Sequence, residues 1–236
     1  RQGGCSGRRG AARKTRAPAV LGVAVAACIA ADQTLCAPPR LAAVHPPPFR
    51  SLGSLHIAPM MEYTDRHFRF MMRMVSEDLV LWTEMIKDTS IARNAEDPAR
   101  LMYLLDMSSP DTEPPVVLQL GGSDPAALGE ATRIAKAWGY SQINLNCGCP
   151  SPKTGRVRNG EGFGVRLMSN PAIARDCLAA MADAAGPSLA VSVKCRIGTH
   201  PTLEDLERDG DDNGRLAEFV DGVASGGRVR HFVVPG

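Results

Sequence analysis

Gln142-Ile143-Asn144-Leu145-Asn146-Cys147-Gly148-Cys149-Pro150 is the stretch on which the fold turns. Its first five residues read as a strand, and Gly-Cys-Pro reads as a tight loop beyond it. Polar residues at the far end of an apolar run recur along the chain. Leu55 to Met60 leads to Glu62, Leu79 to Met85 carries Glu84, Val116 to Leu120 carries Gln119, and Leu189 to Ile197 carries Lys194 and Arg196. With Val229 to Val234 this predicts about six strands, most separated by helices. Several runs are continuously apolar, which implies an α/β fold with a parallel sheet covered on both faces. Chemistry drawn from the ends of many strands is what the upper rim of a TIM barrel, (β/α)8, provides. A doubly wound sheet would concentrate it at one switch point, and no G-x-G-x-x-G follows Gly121-Gly122. Residues 51–236 are short of the roughly 250 a complete barrel takes, so the barrel is expected to be incomplete, with about six βα units.

Helix signals fill the gaps. Asp65 or Thr64 is placed to cap a helix through Val75, with Phe68, Met71, Met72 and Val75 at helical spacing. Ser90 to Leu105 reads as helical with a break near Pro98. Ser123 or Asp124 precedes a helix from Pro125 to Trp138, with proline at its first turn. Asn170 opens a helix that Gly186 closes, and Arg215 to Val223 is the last.

The composition, 44% hydrophobic and 22% charged, excludes wholesale disorder. The net charge of +2 conceals an uneven distribution. Residues 1–50 hold eight Lys or Arg and one acid, a balance of +7, which leaves −5 for the rest. Such an acid-poor, Ala/Gly/Pro-rich segment reads as a disordered basic leader and transit peptide directing the chain to a chloroplast or mitochondrion, with the cytoplasm otherwise. A secretory signal is the other reading. The apolar run Ala17 to Ala31 falls short of the roughly 20 residues a membrane helix needs, and no membrane is expected as partner. Seven cysteines here do not make a disulfide framework.

Asn144 and Asn146 share one strand face, and their amides suit the polar edge of a nucleobase or a flavin ring. Cys149 projects from the loop and, mostly protonated near neutral pH, serves as a general acid as readily as a nucleophile. A structural thiol is the plainer reading for Cys149, and more so for Cys147, Cys177 and Cys195. Cys147-Gly148-Cys149 has no histidine pair at zinc-ligand spacing, so no metal is expected. Lys194 and Arg196 face the same way, and a cation there needs an anion, an electron-rich ring or a rim salt bridge. Gln119 within an apolar strand needs a hydrogen-bond partner. Lys153, Arg156, Arg158 and Arg166 make the following loop basic, as a phosphate contact or as a solvated face.

These residues carry a resemblance. Ala58-Pro59-Met60 with Tyr63-Thr64-Asp65-Arg66, Thr83-Glu84-Met85, Leu118-Gln119-Leu120-Gly121-Gly122, Ile143 through Ser151 with Asn159-Gly160, Phe163-Gly164 and Leu167-Met168, and Val193 through Gly198 stand in order. Together they make residues 55–234 similar to the tRNA-dihydrouridine synthase family, in particular its branch acting at D-loop positions 20 and 20a. The resemblance implies a TIM barrel holding FMN, NADPH as reductant, and tRNA as substrate and partner. It implies reduction of uridine to 5,6-dihydrouridine, with hydride to uracil C6 and a proton from Cys149 to C5, on a base flipped out of the tRNA. By position, Pro59, Met60, Gln119, Asn146 and Lys194 match flavin contacts. Asn146 also lies near the target base, and Lys153, Arg158 and Arg196 are substrate-binding candidates. The chain departs from the family after its sixth strand: the usual His-Ala-Arg is replaced by Pro235-Gly236. The closing strands and the family's C-terminal helical tRNA-binding domain are expected to be absent, and no stable protein partner is expected. An FMN enzyme acting on a free pyrimidine or small enone, and a non-catalytic fragment, remain as alternatives.

Overall fold

A computed structural model describes residues 55–105, 115–140, 142–155, 162–199 and 213–234. The expected leader, residues 1–50, lies outside the described residues. The elements run α1 (Arg66–Val75), β1 (Leu81–Lys87), α2 (Asp88–Ala92), α3 (Pro98–Leu105), β2 (Val116–Gly121), α4 (Pro125–Ala135), β3 (Gln142–Asn146), α5 (Pro171–Ala185), β4 (Ala190–Lys194), α6 (Asn213–Ala224) and β5 (Phe232–Val233).

Helix starts follow the capping chemistry. Asp65 Oδ1 accepts from Phe68 N at 2.8 Å, Asp124 Oδ1 from Ala126 N at 2.9 Å, and Asn170 Oδ1 from Ile173 N at 3.4 Å. Pro125 and Pro171 occupy the first turns of α4 and α5, where a missing N–H costs nothing. Thr64, the other capping candidate, is buried instead, with its hydroxyl on the backbone of Met60.

The sheet is wholly parallel and its order is β1-β2-β3-β4-β5, with no reversal. A doubly wound sheet needs a reversal, so that alternative is excluded. The sequential order is that of a barrel arc, and the described strands do not close into a ring. Two expected strands are much reduced. Leu55 to Met60 contributes only the bridge His56↔Val80, and Val229 to Val234 shortens to two residues. Early turns claim the backbone at Met60, whose carbonyl accepts from both Tyr63 and Thr64.

One sheet face is apolar and packs on helices. Leu118, Leu120, Ile143, Leu145 and Val193 meet Leu128 and Ala131 of α4 and Leu178 and Met181 of α5 in one core. Burying each large side chain there contributes roughly 1.5–3 kcal/mol. The other face corrects the expectation of a sheet apolar on both sides. Val80, Trp82 and Val117 form a small cluster low on it. Nearer the strand ends, buried polar residues take over: Gln119, Asn144, Asn146 and Ser192. A bulge in β1 shifts the register between Trp82↔Val117 and Met85↔Gln119. Thr83 Oγ1 fills the gap by accepting from Gln119 N at 3.1 Å. Among the described residues no helix is long and apolar enough to cross a membrane.

Candidate active site

The end of β1, the loop before α1 and the loop after β3 enclose a cleft of about 800 Å³. Its wall includes Glu62, Arg66, Glu84, Lys87, Cys149, Lys153, Thr154 and Phe163. Cys149 and Lys153 are thus on the cleft. Pro59, Met60, Gln119, Asn146, Lys194 and Arg196 are not part of its wall.

The loop before α1 is held internally. Met60 N donates to Thr64 Oγ1 at 3.0 Å, and Thr64 Oγ1 donates to Met60 O at 3.1 Å. Arg69, itself buried, donates from Nη1 to Thr64 O at 2.9 Å. Glu62 adopts φ +67°, a left-handed conformation uncommon outside glycine, and its N–H donates to the Glu84 carboxylate. Met60 is left 41% exposed, available to a ligand.

Behind the cleft the strand ends are cross-linked by amides. Gly148 N and Cys149 N donate to Asn146 Oδ1 at 3.1 and 2.9 Å. Asn146 Nδ2 donates to Gln119 Oε1 at 2.8 Å, and Gln119 Nε2 donates to Asn144 Oδ1 at 2.9 Å. Asn144 Nδ2 then donates to Ser192 Oγ at 2.8 Å. The polar partner expected for Gln119 is therefore found on both sides of its amide. Ser192 was not legible in the sequence as part of this group. Its one signal is its place two residues before Lys194, hence on the same strand face.

Lys194 lies opposite both Asn146 and Val233 in the sheet register. Burial lowers its pKa from the ordinary lysine value, Arg196 adds to that, and Cys195 opposes it. Arg196 lies beyond the end of β4 and packs on the Cys149 loop. A Cβ at Gly148 would stand 3.1 Å from its Cγ. Arg158 lies outside the described residues.

The thiols separate cleanly. Cys147 points into the helix-side core and is fully buried. Burial pushes its pKa well above the usual thiol range, with Cys195 and Cys177 adding. Burial also raises Cys195, and pushes Cys177 up to about 12. Cys149 is half-buried and lines the cleft. Its carbonyl accepts from Val165 N at 3.0 Å, so the far arm of the loop folds back over it. Phe163, from that arm, reaches β1, with Lys87 Nζ 5.9 Å from its ring centroid. Among the described residues no three His, Cys, Asp or Glu side chains converge as a metal site would require.

The profile of the dihydrouridine synthase (Dus) family matches residues 56–234. The chain is similar to the tRNA-dihydrouridine(20/20a) synthase of Xylella fastidiosa (strain 9a5c), 46% identical over 180 residues, which are 76% of this chain and 47% of that protein. The enzyme of the same name from Xanthomonas campestris pv. campestris is 44% identical over 184 residues, 77% of this chain and 49% of that protein. That of Escherichia coli (strain K12) is 40% identical over 182 residues, 77% and 46% respectively. The chain spans about half the length of the curated relatives it matches.

Proposed function

The chain belongs to the dihydrouridine synthase family, and on that footing we propose that it provides the catalytic barrel units of an enzyme that reduces uridine to 5,6-dihydrouridine in the tRNA D-loop, at positions 20 and 20a. The observation that carries this reading is the placement of Cys149. Of the four described cysteines, it alone lines the cleft, and its loop is tied at both its N–H and its carbonyl.

The donor set suits a flavin. Lys194 is a half-buried cation on the same sheet face as two amides, Gln119 and Asn146, whose nitrogens each retain an N–H beyond the bonds they make to Asn144 and Gln119 respectively. Carbonyl and ring-nitrogen acceptors along the edge of FMN match these donors. Pro59, Met60, Gln119, Asn146 and Lys194 would hold it. Bound there and reduced by NADPH, FMN would supply hydride to C6 of the uracil. Cys149 Sγ gives its proton to C5, which completes saturation of the C5–C6 bond. Lys153 and Arg196 border this region and suit contacts to the tRNA backbone, as does Arg158 by its position in the sequence. The basic leader directs the protein to a chloroplast or mitochondrion, which imaging of a leader–fluorescent protein fusion tests.

The decisive experiment maps dihydrouridine in tRNA from cells lacking the gene. Loss at positions 20 and 20a, restored by the wild-type gene but not by Cys149→Ala, is the expected result. Unchanged dihydrouridine at both positions in the deletion strain would refute the proposal.

A further inference from the structure

The amide cross-links behind the cleft have a fixed polarity. Backbone N–H groups only donate, so those of Gly148 and Cys149 make Asn146 Oδ1 an acceptor and turn Nδ2 toward Gln119. Gln119 must then accept at Oε1 and donate from Nε2, and Asn144 must accept from it and donate to Ser192. Turning the Asn144 amide round would let its oxygen accept from Lys194 N at 3.2 Å and Ser192 Oγ at 2.8 Å, but would set its NH2 group against that of Gln119, whose direction the Cys149 loop has already fixed. Every donor therefore points the same way, from the Cys149 loop to Ser192. We infer that Asn146 is a positioning residue for Cys149, capping its loop from the end of β3, and that Gln119, Asn144 and Ser192 fix the direction in which Asn146 points.

This rests on the proposed role of Cys149 and deepens it. Asn146 is 9% exposed and both lone-pair directions of its oxygen are taken by the loop. It can offer a ligand only an N–H, and its larger effect passes through the sulfur-bearing residue. The loop has little other freedom, since the Cys149 carbonyl is bound to Val165 N and Gly148 is closed in by Arg196 and Cys195.

Iodoacetamide labelling of the full chain, read for each cysteine by peptide mass spectrometry across neutral to alkaline pH, tests this. Asn146→Ala is expected to label Cys149 about fivefold faster, because two loop hydrogen bonds are lost. Cys147, Cys177 and Cys195 should stay protected. Asn146→Asp keeps the acceptor for both N–H groups. It should restore the slow rate, with Gln119 and Asn144 turning their amides round so that Gln119 donates to the new carboxylate oxygen. Ser192→Ala should change labelling in the same direction as Asn146→Ala, and by less. A Cys149 rate and profile in Asn146→Ala equal to wild type would overturn the inference. So would labelling of the three buried thiols in both Asn146 variants, which would assign the residue to holding the core. Labelling requires neither tRNA nor flavin, so its outcome is separate from whether the enzyme reduces uridine.

Discussion

Gly164 is set so tightly against Cys149 that a Cβ on it would stand 2.6 Å from the Cys149 carbonyl oxygen and 3.3 Å from the Cys149 Cβ. The backbone there is at φ +70°, in the left-handed region. Both space and conformation therefore call for glycine. Gly164→Ala is expected to cost about 1–3 kcal/mol in urea unfolding, through left-handed strain and displacement of the loop. It should also alter the rate at which iodoacetamide labels Cys149. A variant with wild-type stability and labelling would show that the loop yields freely there.

Asp88, at the start of α2, is 4% exposed, and its carboxylate abuts Gly122. Its pKa is raised to about 6, first by burial and further by Asp124. The Thr89 N–H, Lys87 and Arg93 work against this. A raised carboxyl favours the folded state below its ordinary value of 3.8, and that contribution disappears as pH climbs through about 6. Asn still accepts from Thr89 and carries no charge. Asp88→Asn should therefore stabilise the protein by about 1–2 kcal/mol at neutral pH, after allowance for solvent screening, and by almost nothing near pH 4. Urea midpoints at the two pH values decide it. The same increment at both would mean that the carboxyl is not charged against a cost.

The helix starts were legible because caps are local. Asp65, Asp124 and Asn170 need only their own next turn to act. The parallel sheet was legible from the spacing of apolar runs, and the shared face of Asn144 and Asn146 from their spacing, but the continuity of that polar face across strands was not. Val117 and Gln119 share it, as do Asn144 and Ser192, and the single polar residue of β2 does not break an apolar reading. The bulge at Trp82/Met85 depends on Thr83 meeting Gln119 across 36 residues, a pairing that no local pattern encodes. For the same reason the sequence marked Asn146, Gln119 and Cys149 singly. The bond from Asn146 Nδ2 to Gln119 Oε1 needed the register of β2 on β3.

His56 Nδ1 accepts from Trp82 Nε1 at 3.2 Å, so the neutral ring carries its proton on Nε2. Burial lowers the His56 pKa below 6.5, and His231 is lowered likewise, by burial and then by His56. As pH falls below 6.5 the unfolded chain takes up protons that the folded chain refuses, so stability declines toward the folded pKa values and is fully present above 6.5. Trp82 reports the event, because protonation of Nδ1 sets two N–H groups against each other. In a Trp138→Phe background, which leaves Trp82 as the one tryptophan, emission should titrate with a midpoint below 6.5. His56→Phe should remove that titration. Persistence of the same curve in the variant would place its origin elsewhere.

Lys194 presents the opposing demands of stability and binding in one side chain. Burial lowers its pKa, which means that the folded protein holds this ammonium at a cost. The sign follows: stability rises with pH between the lowered value and 10.5, where the unfolded chain still carries a proton that the folded one has lost. At neutral pH the cost is fully present. Lys194→Met keeps most of the stem and removes the charge, so it should raise the melting temperature and abolish the alkaline gain in stability. If the ammonium faces FMN, the same change should weaken flavin binding about tenfold, the size expected for one lost charge-assisted contact, as read by flavin fluorescence titration. A less stable variant that bound FMN as tightly as wild type would contradict both halves of the argument, because the charge would then belong to a structural ion pair and not to a ligand.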